Sequence, residues 1–359
     1  MKKKLFFAAV DLNIGGIEKA LVNLLNVIDY SKYDVVLFLE KKEGTLLNEL
    51  NKNVVVKELK VSKLKITPLR KIVNFTRKLI FKLKNKNKYD FSCCYATYSY
   101  SAAKISLMAS TNSSLYVHSD YSFIYNEKDF REFFDSRYIA LFRRIVFVSN
   151  ESRNNFLKYY PNLNNKTLVF NNFINIKDIL EKSKEKIPLE LNDKNKHLVF
   201  IGRLEDKSKK VGRCINLINN IEDTDLMIIG DGPDRREYEK LVYKYDLNDR
   251  IKFLGMKDNP YPYIKNADYL ILTSDYEGFP VIYLEAIALK KIIITTINTS
   301  DETINIKDGF GYIISKDNDK MISEVKTIIS NKNKLKSIDL DVIQKNRIKM
   351  LEQLFEGVI

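Results

Sequence analysis

Three times between residues 198 and 255 a short apolar run breaks into a glycine turn. Leu198 to Ile201 leads into Gly202-Arg203-Leu204, Leu226 to Ile229 into Gly230-Asp231-Gly232-Pro233, and Ile251 to Leu254 into Gly255-Met256. Each run has strand length, and each is followed by a stretch that can turn back as a helix. The same grammar opens the chain: Leu5 to Val10 reads as a buried strand, Asp11 to Gly16 as a turn, and Ile17 to about Val27 as a helix. Val35 to Leu39, Val54 to Val56, Phe91 to Ala96, Leu115 to His118, Ile145 to Ser149 and Thr167 to Phe170 continue that first series. Strands alternating with helices predict a parallel, doubly wound α/β sheet. Between the two series Lys177 to Lys196 is charged, contains Pro188 and has little apolar content, so it reads as a linker. A chain of 359 residues suits two domains, here two doubly wound halves with the carboxyl ends of their strands facing a cleft.

Composition narrows the function classes. Apolar content of 45% and charged content of 30% belong to a folded soluble chain. Leu5 to Val10 is too short to span a bilayer, and Lys2-Lys3-Lys4 before it is not followed by the h-region or cleavage site of a signal peptide. The reading is therefore cytoplasmic, with the inner face of the cell membrane as a peripheral location. Cys93, Cys94 and Cys214 have no ligand spacing, and His118 and His197 are the only histidines, so no metal site is expected.

The net charge of +14 is uneven. Residues 1–186 carry 33 Lys and Arg against 18 Asp and Glu, and the rest of the chain is nearly balanced. Lys57 to Lys88 alone holds twelve basic residues and one acid, Glu58. From Leu69 the apolar residues Leu69, Ile72, Val73, Leu79, Ile80 and Leu83 recur at helical spacing, with Phe75 and Phe81 able to widen that face. Two readings stay open: a helix docked on its own sheet with a solvated lysine face, or a basic amphipathic helix lying on an anionic membrane or acceptor. No nucleic-acid-binding motif accompanies the charge, so no nucleic acid is expected.

The strongest chemical signal is Glu277 to Glu285, Glu-Gly-Phe-Pro-Val-Ile-Tyr-Leu-Glu, set between the apolar runs Tyr269 to Ser274 and Ile292 to Thr296. Gly278-Phe279 form a turn, and Pro280 suits the start of a helix over Val281 to Leu289. Glu277 then stands in the loop, and Glu285 lies roughly 7.5 Å along the axis from Pro280. Free N–H groups at the helix start suit a phosphate, and carboxylates on either side suit hydroxyls. That is the outline of a nucleotide-sugar pocket. Elsewhere, Gly15-Gly16 allow backbone to approach a ligand but lack the third glycine of a dinucleotide fingerprint. His118 ends a strand, where a lone histidine is more often structural than catalytic.

Together these motifs resemble the retaining glycosyltransferases of family 4, the group that includes bacterial glycogen synthases, sucrose synthases and many lipopolysaccharide and capsule transferases, with the GT-B fold of two facing Rossmann-like domains. The resemblance runs through Gly15-Gly16-Ile17-Glu18, Val117-His118-Ser119-Asp120, Asn172-Phe173-Ile174-Asn175, Gly202-Arg203-Leu204 with Lys209, Gly230-Asp231-Gly232-Pro233, Phe253-Leu254-Gly255 and Glu277 to Glu285. It implies an N-terminal acceptor-side domain at 1–178, a linker at 179–196, a nucleotide-sugar-binding domain at 197–334, and a helical segment at 335–359 packing back on the first domain.

The resemblance also implies roles. Arg203 and Lys209 would hold the donor diphosphate, with Lys207 and Lys210 as competitors for Lys209. Glu285 would take the ribose hydroxyls, and Glu277 the transferred sugar. Gly278, Phe279, Pro280 and Val281 would border sugar or phosphate. Gly15, Gly16 and Gly232 would approach the diphosphate region, Leu254 would lie beside the base, and His118 beside the donor sugar. Fixed cations would stabilise the leaving diphosphate without a metal or other cofactor. Glu18 and Asp120 read as local caps or pairs. Asn175 and Thr299-Ser300-Asp301-Glu302 depart from the family pattern, the latter putting a role for Glu302 in doubt.

The expected activity is transfer of a hexose, with retention, from a UDP-sugar or another nucleoside-diphosphate sugar to a glycan or lipid-linked glycan in bacterial cell-envelope polysaccharide synthesis. A non-catalytic partner of the same fold in a glycan-assembly complex is the alternative. A UDP-sugar epimerase fits less well, with two histidines in the whole chain.

Overall fold

The computed structural model describes residues 1–58, 69, 76, 79–188, 191, 194–300, 304–331, 336 and 338–359. The chain divides into two compact units, Met1–Phe173 with Val342–Ile359, and Ile174–Asp341.

The first unit holds β1 (Lys3–Ala9), β2 (Tyr33–Leu39), β3 (Val55–Glu58), β4 (Phe91–Cys94), β5 (Ser113–Val117), β6 (Arg144–Phe147) and β7 (Thr167–Val169). Their order across the sheet is β3-β2-β1-β4-β5-β6-β7, and every pairing is parallel. Crossover helices are α1 (Gly16–Asn26), α2 (described over 79–85), α3 (Tyr100–Ala109), α4 (Glu127–Ser136) and α5 (Asn150–Tyr159). Phe91–Cys94 and Ser113–Val117 are buried throughout, as strands covered on both faces must be.

The second unit holds β8 (Lys196–Ile201), β9 (Thr224–Ile229), β10 (Ile251–Gly255), β11 (Tyr269–Leu272), β12 (Ile292–Thr295) and β13 (Gly311–Ile313) in the order β10-β9-β8-β11-β12-β13, again all parallel. Its helices are α6 (Ile176–Lys182), α7 (Val211–Asn220), α8 (Arg235–Lys244), α9 (Tyr261–Asn266), α10 (Val281–Ala288) and α11 (Asn318–Ser330). Both sheets follow the Rossmann order, in which the chain reverses direction across the sheet beside its first strand. The reversal falls between β1 and β4 in one unit and between β8 and β11 in the other. β13 escaped the sequence reading because Gly311-Tyr312-Ile313 is too short to show a period.

The last helix, α12 (Leu340–Glu356), runs into the first unit and packs there, as the resemblance implied. Phe355 is its deepest contact, with its ring 4.9 Å from Phe91, 5.4 Å from Tyr33 and 6.1 Å from Phe7. Asn112 Nδ2 donates to the carbonyls of Leu354 and Phe355, and Gly357 takes the left-handed φ of 72° that ends the helix. Arg347 and Asn23, both buried, donate to the carbonyls of Asn172 and Phe173, where the chain leaves the first unit.

The basic segment divides. Phe81 turns inward, edge-on to Phe38 at 5.2 Å and to Phe6 at 6.4 Å, so it docks on the sheet instead of widening an outer face. Leu69, Leu79, Ile80 and Leu83 are exposed. Ile72, Val73, Phe75, Arg77 and Lys78 lie outside the described residues, as does Glu302. No helix among the described residues is long and apolar enough to cross a membrane.

Candidate functional site

In the second unit, the loops after β8 and β11 emerge side by side where the strand order reverses, the position at which open α/β sheets bind ligands. Asp275 N–H donates to Ser208 O at 2.8 Å, fastening one loop to the other. The glycine turns serve this packing. Gly230 has a φ of 134°, and a Cβ there would strike the carbonyl oxygen of Gly202. A Cβ on Gly232 would strike the backbone of Leu204. Leu204 N–H donates to Asp231 O at 3.0 Å and Asp234 N–H to Leu204 O at 3.1 Å, so the turns after β8 and β9 interlock backbone to backbone.

On this frame Lys209 Nζ meets Glu277 Oε1 at 2.5 Å, and Ser274 Oγ donates to the same oxygen at 2.7 Å. Of the three neighbouring lysines, Lys209 is the one that meets Glu277. Lys207 is exposed, and Lys210 pairs with Asp206 at 2.9 Å. Lys210 takes a left-handed backbone, φ 52° and ψ 44°, ahead of α7. For a non-glycine residue that costs about 1 kcal/mol, and buried Thr273 holds it by donating its hydroxyl to Lys210 O at 3.0 Å. Arg203 extends into solvent, with Nε 3.4 Å from Glu205 Oε2.

Pro280 sits at the N-cap of α10 with ψ 128°, one residue before the helix proper. No side-chain cap is made at this start among the described residues. Phe279 is buried with its ring against Tyr283 at 5.9 Å, so only its backbone is placed to meet a ligand. Val281, Tyr283, Leu284, Ala286 and Ile287 are also buried, and Glu285 is enclosed with them at 6% exposure. A carboxylate so placed requires hydrogen-bond donors. Tyr261 supplies one, its O–H donating to Glu285 Oε1 at 3.1 Å. Tyr261 is held in turn by Asn259, whose Oδ1 accepts from Tyr261 N–H and whose Nδ2 donates to Lys182 O on α6. The sequence reading found neither Tyr261 nor Thr273. A tyrosine among Tyr261, Tyr263 and Tyr269 carries no signal until the fold aims it. Leu254 falls at a register shift near the end of edge strand β10, and Gly255 next to it has a φ of 69°.

In the first unit, Gly15 caps α1 and Gly16 begins it. A Cβ on Gly16 would meet nothing within 4 Å, whereas one on Gly15 would meet the Glu18 carboxylate, which folds back over it. Glu18 accepts from Tyr98 O–H at 3.0 Å, and burial pushes its pKa up. Asp120 likewise accepts from Ser122 N–H and Asn155. His118 follows β5 with its ring 4.4 Å from Tyr95 and 5.9 Å from Tyr116. Its Nε2 is buried without a hydrogen-bond partner among the described residues. Burial pushes its pKa down to about 3, against a weaker upward pull from a hydrogen bond to the Tyr95 backbone, so the ring is neutral at pH 7. Among the described residues no group of three or more His, Cys, Asp or Glu is arranged to hold a metal ion.

Two Rossmann-like units of this strand order in one chain define the GT-B fold. HepE of Anabaena, solved in complex with UDP and glucose, matches with a TM-score of 0.69 at 14% identity, over 99% of this chain and 94% of that one. TarM of S. aureus, in a complex that includes UDP, matches with a TM-score of 0.69 at 12% identity, over 98% and 99%. At such identities the likeness establishes the fold.

Residues 181–340 match the family described as glycosyl transferases group 1. A curated relative is the N-acetylgalactosamine-N,N'-diacetylbacillosaminyl-diphospho-undecaprenol 4-alpha-N-acetylgalactosaminyltransferase of Campylobacter jejuni, 27% identical over 190 residues, 52% of this chain. The match spans 49% of that relative's length, and the match to an uncharacterized glycosyltransferase of Methanocaldococcus jannaschii spans 41% of its length.

Proposed function

We propose that this protein is a retaining glycosyltransferase that moves a hexose from a nucleoside-diphosphate sugar, UDP-linked in the first instance, to a hydroxyl of a membrane-associated glycan intermediate. The observation that carries the reading is the convergence of Lys209, Ser274 and Glu277 at the reversal of the second sheet, beside the uncapped start of α10 and the enclosed Glu285. These groups suit the parts of one ligand: cations for a diphosphate, carboxylates for sugar and ribose hydroxyls. Arg203, exposed with its Nε 3.4 Å from Glu205 Oε2, would swing onto the diphosphate.

In this mechanism the C–O bond to the diphosphate breaks and the acceptor oxygen attacks the same face of the sugar. The departing diphosphate oxygen takes the acceptor proton, so no protein nucleophile is needed. Arg203 and Lys209 neutralise the charge that develops on the diphosphate, so turnover is expected without a metal. Neutral His118 can offer a hydrogen bond to a sugar hydroxyl without adding charge. The Campylobacter relative, by its name, acts on a diphospho-undecaprenol-linked glycan. A lipid-linked acceptor for this chain is supported by the exposed Leu69, Leu79, Ile80 and Leu83 within the basic segment. The protein would then work in the cytoplasm, peripherally on the membrane's inner face.

Calorimetry with UDP and GDP tests the donor site. Micromolar binding of one nucleotide, lost in Arg203→Ala and Glu285→Ala, is expected. If neither nucleotide binds wild type, the non-catalytic assembly partner becomes the better reading. Flotation with anionic vesicles tests the surface: binding at low salt should disappear when Arg77, Lys78, Lys82 and Lys84 are replaced by Glu.

A further inference from the structure

The cation proposed to hold the diphosphate is already engaged. Lys209 Nζ and Glu277 Oε1 are 2.5 Å apart, with side chains only 22% and 13% exposed, so water screens the pair poorly. Ser274, fully buried, fixes the same carboxylate oxygen at 2.7 Å and thereby holds Glu277 against the lysine. Among neighbouring cations Lys210 is drawn to Asp206, Arg213 pairs with Asp275 at 2.7 Å, and Arg203 is solvent-exposed beside Glu205, so Lys209 is the one seen on Glu277 among the described residues.

A phosphate entering this site must compete with a carboxylate for one ammonium. From these contacts we infer that Glu277 is a specificity residue that selects the intact nucleotide-sugar over its nucleotide product, through exchange of the Lys209–Glu277 ion pair. The inference rests on the donor-site reading above.

The exchange follows from what each ligand brings. A nucleoside diphosphate supplies negative charge to Lys209 but nothing to Glu277, which is left beside a second anion without its counter-ion. Leaving one member of a partly buried pair uncompensated is costly. A nucleotide-sugar supplies the same phosphates together with sugar hydroxyls, which donate to Glu277 as Lys209 turns away. Both partners are then satisfied, and the ion pair is replaced without loss. Once the sugar has left for the acceptor, only the nucleotide remains, the pair closes again, and the product is expelled. No bond forms or breaks in this step; the lysine stays protonated and the carboxylate ionised.

The inference makes a prediction opposite to that for an ordinary binding residue. Replacing Glu277 should tighten nucleotide binding. In calorimetry with UDP, or with GDP if wild type prefers it, Glu277→Gln should bind about threefold to tenfold more tightly than wild type, the range expected for a partly screened ion pair. Glu277→Ala should move in the same direction, which covers the case in which the glutamine variant folds poorly. Lys209→Met should weaken binding, and adding Glu277→Gln to it should gain less than about twofold, because the competition acts through the lysine.

Equal or weaker nucleotide binding by both Glu277 variants would overturn the inference and leave the donor site standing if wild type binds. A full gain in the Lys209→Met background would overturn it too, since the effect would then be simple repulsion of phosphate by carboxylate. Wild type that binds neither nucleotide would bring down the donor-site reading and this inference together.

Discussion

The two units share one strand order but differ at the point where it reverses. In the second unit that point is ionic and interlocked: Lys209 on Glu277, Arg203 beside Glu205, and glycine turns packed backbone to backbone. In the first unit the loops after β4 and β5 carry tyrosines and an uncharged histidine, and the first turn of α1 a carboxylate held by a phenol. Topology says where a ligand can sit, and the side chains on the loops say what kind. A charged, rigid crevice suits a diphosphate. Hydrogen-bonding groups among aromatic rings suit a sugar or its acceptor, and none of those named is a cation that would hold a diphosphate.

The most disruptive way to break the contrast is Gly230→Ala. The φ of 134° and the Gly202 carbonyl leave no place for a methyl group, so the second unit should lose about 3 kcal/mol, read as a fall in the chemical denaturation midpoint. Gly16→Ala in the first unit, with open space around it, should change stability by less than about 0.5 kcal/mol. Equal losses would mean that the two glycine turns serve the same structural purpose.

Next in size, Arg203→Ala and Glu285→Ala should each weaken UDP binding about a hundredfold, roughly 2.7 kcal/mol, while His118→Gln should leave it within about threefold. Nucleotide affinity that depends on His118 as strongly as on Glu285 would erase the division of labour.

The acid response sharpens the same contrast. His118 has a folded pKa of about 3 against an ordinary 6.5, so its neutral form contributes stability that is complete above about pH 6.5 and is lost as pH falls toward 3. Between pH 7 and pH 5, His118→Gln should therefore lose about 1 to 2 kcal/mol less stability than wild type. Parallel pH curves for the two proteins would show that the ring can take up a proton without penalty.

The smallest effects should come from the hydroxyls bonded to the charged groups of the proposed donor site and the backbone beside them. Tyr261→Phe removes the hydrogen bond to Glu285, and Thr273→Val those to the carbonyls of Lys209 and Lys210 and the contact with Cys214 Sγ, with little change of volume; each should raise the UDP dissociation constant about threefold to tenfold. Unchanged affinity in both would mean that Glu285 and Lys209 are placed by packing alone.

Much of this could be read along the chain. Strands such as Leu198 to Ile201 and Leu226 to Ile229 are apolar without interruption because both faces are covered, and that pattern survives in one dimension. Glu285 could be placed because a helix converts its distance from Pro280 into geometry directly, Glu277 because it stands in the loop just before that helix, and His118 because it directly follows a strand. Partners brought together from afar were not legible. Lys209 and Glu277 are 68 residues apart, and the choice of Lys209 over Lys207 and Lys210 depends on the left-handed turn at Lys210 that Thr273 secures. Phe81 looked like part of an outward apolar face because periodicity marks a stripe without saying which side the sheet occupies.

The sequence by itself determined the repeating strand-turn-helix grammar, the glycine positions and the two glutamates, since each depends on neighbours within a few residues. Only the tertiary structure decided that β8 lies against β11, that one lysine of three reaches Glu277, that Tyr261 clasps Glu285, and that Phe355 closes the chain onto the first sheet. These are pairings of segments distant in sequence, settled by which faces can be buried together, and no local pattern records them.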